Sequence, residues 1–196
     1  SGSFKPAIAY GLGDNYPAYY VCRYEALMYC NLKSKADKLT PAYYLAESSG
    51  NEVPNGRDVK TWMEMAYSKI GQYETDDNKK VFFYNDSTYD TNSLLDWTGS
   101  TDTNGGIRYD ESADGWRLPV IAEWEYIARE GNLTDEGQYI YSGSDTMEEI
   151  AVVNASSSSE VKSKIPNALG IYDMTGNVFE YCWDWYNTIS TTTPLT

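Results

Sequence analysis

Apolar positions fall at helical spacing in two stretches of the chain, with alternating or irregular patterning between them. From Val21 to Leu32 the residues Val21, Ala26, Leu27, Met28 and Cys30 are interleaved with Arg23 and Glu25. That pattern predicts a helix of about three turns. Asn31 to Thr40 reads as its polar exit, and Leu39 to Leu45 as a short strand. A second helix is predicted from Val120 to Arg129, with Trp124, Ile127 and Ala128 on one side and Gly131 as its stop. Pro119 holds Leu118 extended just ahead of it. Further short strands are expected at Tyr139–Gly143 and Ile150–Asn154, and Ala155 to Glu160 forms a serine-rich turn. Between the helices, residues 46–114 alternate turn clusters (Ser48-Ser49-Gly50-Asn51, Pro54-Asn55-Gly56) with aromatic stretches such as Val81-Phe82-Phe83-Tyr84. Trp62 to Tyr67 fits a helical turn or a strand.

Composition narrows the functional classes. With 196 residues the chain has the size of one domain with its own core, expected over 4–196, Ser1-Gly2-Ser3 reading as a tag remnant. A net charge of −14 without a basic stripe excludes nucleic acid as a partner. The absence of histidine removes His-dependent acid–base chemistry, Ser-His-Asp triads and the usual zinc and iron sites. Three cysteines, Cys22, Cys30 and Cys182, make neither a disulfide framework nor a zinc site and read as structural thiols. No run of 18 apolar residues is present, so no membrane span is expected. The 19 tyrosines serve either packing or ligand-facing loops.

Three segments in fixed order carry a family resemblance. Gly115-Trp116-Arg117-Leu118-Pro119 runs into Ala122-Glu123-Trp124-Glu125-Tyr126-Ile127-Ala128-Arg129-Glu130-Gly131. Pro166-Asn167-Ala168-Leu169-Gly170-Ile171-Tyr172-Asp173-Met174 follows, then Gly176-Asn177-Val178-Phe179-Glu180-Tyr181-Cys182-Trp183-Asp184-Trp185. The chain resembles the formylglycine-generating-enzyme (sulfatase-modifying-factor) family. The resemblance implies an α+β, C-type-lectin-like fold: two main helices, short irregular strands and long loops. Residues 46–114 are then an insertion, and Arg23 stands where members commonly carry tryptophan. Members continue past Trp-Asp-Trp-Tyr to an Arg-Gly-Gly-Ser-Trp strand, and the enzymes add paired copper-binding cysteines. Neither follows Tyr186 here, so no copper chemistry is expected. The histidine-dependent sulfoxide-synthase reaction of iron-using relatives is likewise not expected.

The resemblance also points to a site. Gly176-Asn177-Val178-Phe179-Glu180 supplies an amide, carbonyls and a carboxylate in one bend, the hard oxygens that Ca²⁺ takes. Asn177 and Glu180 match the family's calcium motif, with carbonyls of Gly176 and Val178 as additions; the alternative is a turn held by Asn-to-backbone hydrogen bonds, with Glu180 paired to Arg117 or Arg129. A second family calcium site near Asn154 is not expected, because the following loop is serine-rich rather than acidic. Arg117, Glu123, Trp124 and Glu125 read as structural, as do Asp173 and Asp184. Trp183, Trp185 and Tyr186 either stack on a sugar or pack the core. The readings are a non-catalytic domain binding a protein or carbohydrate ligand, a truncated formylglycine-generating oxidase acting on a sulfatase cysteine, or a structural adhesive domain. The first is preferred, with an extracytoplasmic or cell-surface location and self-association through unpaired strand edges.

Overall fold

The computed structural model describes residues 11–19, 21, 23–47, 49–63, 106–132, 134 and 137–184, arranged as two compact units, Cys22–Leu118 and Ser1–Val21 with Pro119–Thr196. Among the described residues two main helices, a two-stranded sheet and long loops give the expected α+β composition. No described helix is long and apolar enough to cross a membrane.

In the unit Cys22–Leu118, helix α1 spans Arg23–Ala36 and runs four residues beyond the predicted end. The polarity of Asn31 and Ser34 reads as an exit, yet both side chains are fully buried inside the helix. Ser34 Oγ donates to the Cys30 carbonyl at 2.7 Å and accepts the Trp116 amide at 2.8 Å. The helix ends where Lys38 takes a left-handed φ of 61° and Leu39 N–H returns to the Ser34 carbonyl.

Strand β1 (Tyr43–Ala46) pairs antiparallel with β2 (Gly106–Tyr109), Tyr43 facing Tyr109 and Ala46 facing Gly106. The outer edge of β1 is closed. Asn31 Nδ2 donates to the Tyr43 carbonyl at 2.8 Å, and its Oδ1 accepts the Tyr43 amide at 3.2 Å. Two residues on, Leu45 exchanges backbone bonds with Gly56 and Val53. The expected self-association through an open strand edge therefore finds no edge at β1, because a side-chain amide and a turn already occupy it. A Cβ on Gly56 would lie 2.8 Å from the Leu45 carbonyl oxygen, so only glycine lets this turn approach the strand.

The core of this unit contains Leu27, Tyr43, Leu45 and Trp62. Residues 59–63 are helical, and the Trp62 indole donates to the Gly56 carbonyl, which settles the helix-or-strand alternative as far as residue 63. Val81–Tyr84 and the rest of 64–105 lie outside the described residues. Arg57 clamps the sheet to its turn: Nε meets Glu52 at 3.1 Å, Nη2 meets Asp110 at 2.8 Å and Nη1 donates to the Pro41 carbonyl at 2.8 Å.

In the second unit, α2 covers Ile121–Ala128, within a residue of its predicted span at each end, and α3 is one turn, Met147–Ile150. The strands expected at Tyr139–Gly143 and Ile150–Asn154 appear only as the single bridges Tyr141–Ser144 and Val152–Gly176. Side chains take over the local backbone groups instead: Ser144 Oγ accepts the Thr146 amide and Asp145 Oδ1 the Ile140 amide. Trp124, Ile127 and Ala128 are half-buried rather than core, since α2 is only eight residues long and the indole turns its polar edge to a partner.

Hydrogen bonds from Ser112 and Arg57 hold the Asp110 carboxyl down at about 2, and the bonds from Lys33 and Trp116 hold Asp37 below the usual carboxylate range. A depressed folded-state value contributes stability above the unfolded value of 3.8 that is lost as pH falls through about 2. Unfolding midpoints measured from pH 5 to pH 2 should therefore fall, and Asp110→Asn should flatten the slope in that window. An unchanged slope would show that Asp110 is not the group responsible.

Candidate functional site

The first turn of α2 shows how the motif residues are used. Val120 has no side-chain acceptor, so only half of a capping box forms, with Glu123 Oε2 accepting the Val120 amide at 2.9 Å. Asp184 supplies the missing acceptor by taking the Ile121 N–H, which puts a carboxylate at the positive end of the helix. Trp124 Nε1 donates to Glu180 at 2.7 Å, and Glu125 pairs with Arg129 at 2.9 Å on the helix surface. Arg117 stacks 6.0 Å over the Tyr109 ring and donates to the Leu118 carbonyl. Asp173 sits at φ 59° and accepts the Lys162 amide, a turn role. A Cβ on Gly115 would fall 2.1 Å from the Thr40 carbonyl oxygen, so the first motif glycine is a close-approach position.

The four calcium candidates Gly176, Asn177, Val178 and Glu180 line one open cavity of about 420 Å³ together with Asp173 and Lys162. Asn177 Oδ1 accepts the Ser159 amide at 2.9 Å, its Nδ2 reaches the Ser159 carbonyl at 3.3 Å, and one Glu180 oxygen is held by Trp124. A cation there would draw on the remaining lone pair of Asn177, the other Glu180 oxygen and backbone carbonyls. Among the described residues no group of three or more acidic or thiol side chains is assembled for a metal. That donor set, with one carboxylate, fits a weak hard-cation site, on the order of 10⁻⁴–10⁻³ M, rather than a tight one. Of the sugar-stacking candidates, Trp183 is half-buried and donates its amide to the Pro119 carbonyl at 2.8 Å, while Trp185 and Tyr186 lie outside the described residues. Of the cysteines, burial pushes the Cys30 thiol up to about 11; Cys182 is half-buried and Cys22 is outside the described residues.

A larger cavity of about 550 Å³, which sequence patterning did not single out, opens between α2 and the loop 137–143. Its frame is set by Asn167, which is 4% exposed. Asn167 Nδ2 donates to the Ile127 carbonyl at 3.0 Å and to Ser142 Oγ at 3.2 Å, and Oδ1 accepts the amides of Leu169 and Ile171. One side chain thus ties α2, the cavity loop and the Pro166–Ile171 turn together. The only sequence signal for it is the Pro-Asn pair that opens the second motif. Trp124, Tyr139 and Tyr141 give the cavity aromatic walls, and Ile140 beside them is 76% exposed.

A family model described as sulfatase-modifying factor enzyme 1-like domain matches residues 5–194. Chaperone protein LppX of Paenibacillus barcinonensis is 28% identical over 195 residues, which is 89% of this chain and 54% of that protein. Formylglycine-generating enzyme of Streptomyces coelicolor is 37% identical over 86 residues, 37% of this chain and 27% of the enzyme. Among solved structures, Treponema denticola variable protein 1 superposes with a TM-score of 0.57 at 28% identity, over 96% of this chain and 56% of that one. CarF, at 24% identity and a TM-score of 0.53, covers 90% of this chain and 52% of its own and speaks for the fold alone. The chain spans about half the length of the relatives it matches most broadly. The fold is the C-type-lectin-like one of this family.

Removing the Asn167 amide would strand several buried backbone groups, each costing roughly 1–3 kcal/mol. Asn167→Ala should accordingly lower stability by about 3 kcal/mol in denaturant unfolding. A loss below about 1 kcal/mol would mean that water replaces the amide.

Proposed function

The chain belongs to the sulfatase-modifying factor enzyme 1-like domain family, and on that premise we propose that it is a non-catalytic domain that binds a protein partner outside the cytoplasm. The observation that carries this reading is breadth of likeness. Sequence similarity to the Paenibacillus protein covers 89% of the chain, whereas sequence similarity to the Streptomyces formylglycine-generating enzyme covers 37%. That Paenibacillus relative is named a chaperone, which favours a protein over a carbohydrate as the ligand.

Oxidation of a sulfatase cysteine through copper requires two thiolates held close together. Cys30 is buried and its thiol stays protonated near neutral pH, which does not suit that role. Incubated with copper(I), oxygen and a sulfatase-motif cysteine peptide, the protein should leave the peptide mass unchanged. The immobilised protein should retain a saturable, protease-sensitive component of an envelope extract. Formation of the aldehyde, or retention abolished by glycosidase alone, would overturn this reading.

Calcium belongs to the same reading as a brace for the 176–180 loop, held by Asn177 Oδ1, the free Glu180 oxygen and carbonyls of Gly176 and Val178. Millimolar calcium should raise the melting temperature, magnesium should do so less, and Glu180→Gln should remove the difference. Equal effects on wild type and variant would place the ion elsewhere.

A further inference from the structure

We infer that the cavity between α2 and the loop 137–143 receives the cationic end of a lysine or arginine side chain presented by a protein partner. The inference rests on the protein-binding reading above and assigns it a place and a chemistry.

Shape comes first. At about 550 Å³ the cavity has ligand-pocket dimensions, ample for a long side chain. Its walls are held before any ligand arrives: Ser142 N–H donates to Thr175 Oγ1 at 3.2 Å, Tyr141 N–H to the Ser144 carbonyl at 3.1 Å, and Glu130 Oε1 accepts the Ala168 amide at 2.6 Å. A preformed wall lowers the ordering cost of binding.

Hydrogen-bonding capacity then decides the ligand. Several donors at the cavity are already engaged: Trp124 Nε1 by Glu180, Gln138 Nε2 by the Asn132 and Thr134 carbonyls, and Arg129 Nε by Glu125. Acceptor capacity remains beside them. Glu130 keeps its second carboxylate oxygen, Gln138 its Oε1, and Tyr139 and Tyr141 their hydroxyls, with no partner among the described residues. A group rich in N–H donors and poor in acceptors answers that surplus.

Charge agrees. Two carboxylates, Glu125 and Glu130, face a single guanidinium in a chain of net charge −14, so phosphates and carboxylates are repelled. The aromatic rings of Trp124, Tyr139 and Tyr141 line the cavity, and such rings attract an organic cation. A bare metal ion gains nothing from those rings, and no metal-holding cluster is formed among the described residues. A protein side chain also explains the exposed Ile140 on the rim, which a docking surface would cover.

The test is calorimetric titration of the full chain with hexalysine, with hexaglutamate as the opposite-charge probe. Hexalysine should bind and weaken with added salt; hexaglutamate should not bind. Glu130→Gln keeps the bond to the Ala168 amide, and Tyr139→Ser changes a half-exposed ring, so both should fold with an unchanged melting temperature. Each should weaken hexalysine about tenfold or more, whereas Glu148→Gln, an exposed acid away from the cavity, should leave it unchanged. Equal weakening by Glu148→Gln would reduce the effect to general acidity and overturn the assignment, as would indifference to both cavity variants. If hexalysine fails to bind while the envelope component is still retained, the cavity assignment alone falls. If neither binds, the protein-binding reading falls with it.

Discussion

A fold with few regular ladders must still give every buried backbone N–H and C=O a partner, and here buried side-chain amides do that work. Asn31 presents both halves of its amide to Tyr43 and completes the strand edge that no second strand covers. Asn167 does the equivalent for Ile127, Leu169 and Ile171 in the other unit. Asn177 repeats the device more openly, pairing with both backbone groups of Ser159. An amide suits this because it carries a donor and an acceptor side by side, as a peptide group does. A carboxylate of the same shape could answer only N–H groups, and leucine neither.

This constraint accounts for the family motifs. Gly115 permits a close approach to Thr40, Glu123 and Asp184 cap α2, and Asn167 fastens the turn that follows Pro166. These motif residues have a structural task before any functional one is considered. A match that rests on such residues therefore speaks for the fold before it speaks for a reaction.

Legibility in the sequence divided along the same line. The helix Ile121–Ala128 and its stop at Gly131 were readable, because periodicity and a left-handed glycine are local signals. The end of α1 was not, since Asn31 and Ser34 look like a solvated exit until the strand they serve is in place. The strands expected at 139–143 and 150–154 failed for a related reason. Within 139–143, Asp145 claims the Ile140 amide that a ladder would have used. For the site, Asn177 and Glu180 line one cavity, whereas the larger cavity was invisible because its wall is assembled from segments about 50 residues apart, Trp124 to Thr175.

The two cavities differ in what their residues have left to offer. Around Asn177 and Glu180 the fold engages Asn177 Oδ1 and one Glu180 oxygen once each, which leaves a lone pair and one carboxylate oxygen for a ligand. At the cavity between α2 and the loop 137–143, the Tyr139 and Tyr141 hydroxyls, the second Glu130 oxygen and Gln138 Oε1 have no partner among the described residues. Binding energy comes from groups whose partner in the free protein is only water, on a frame that need not move. By that criterion the proposed binding site is framed by motif residues, and the loop between the first and second motifs supplies its contacts.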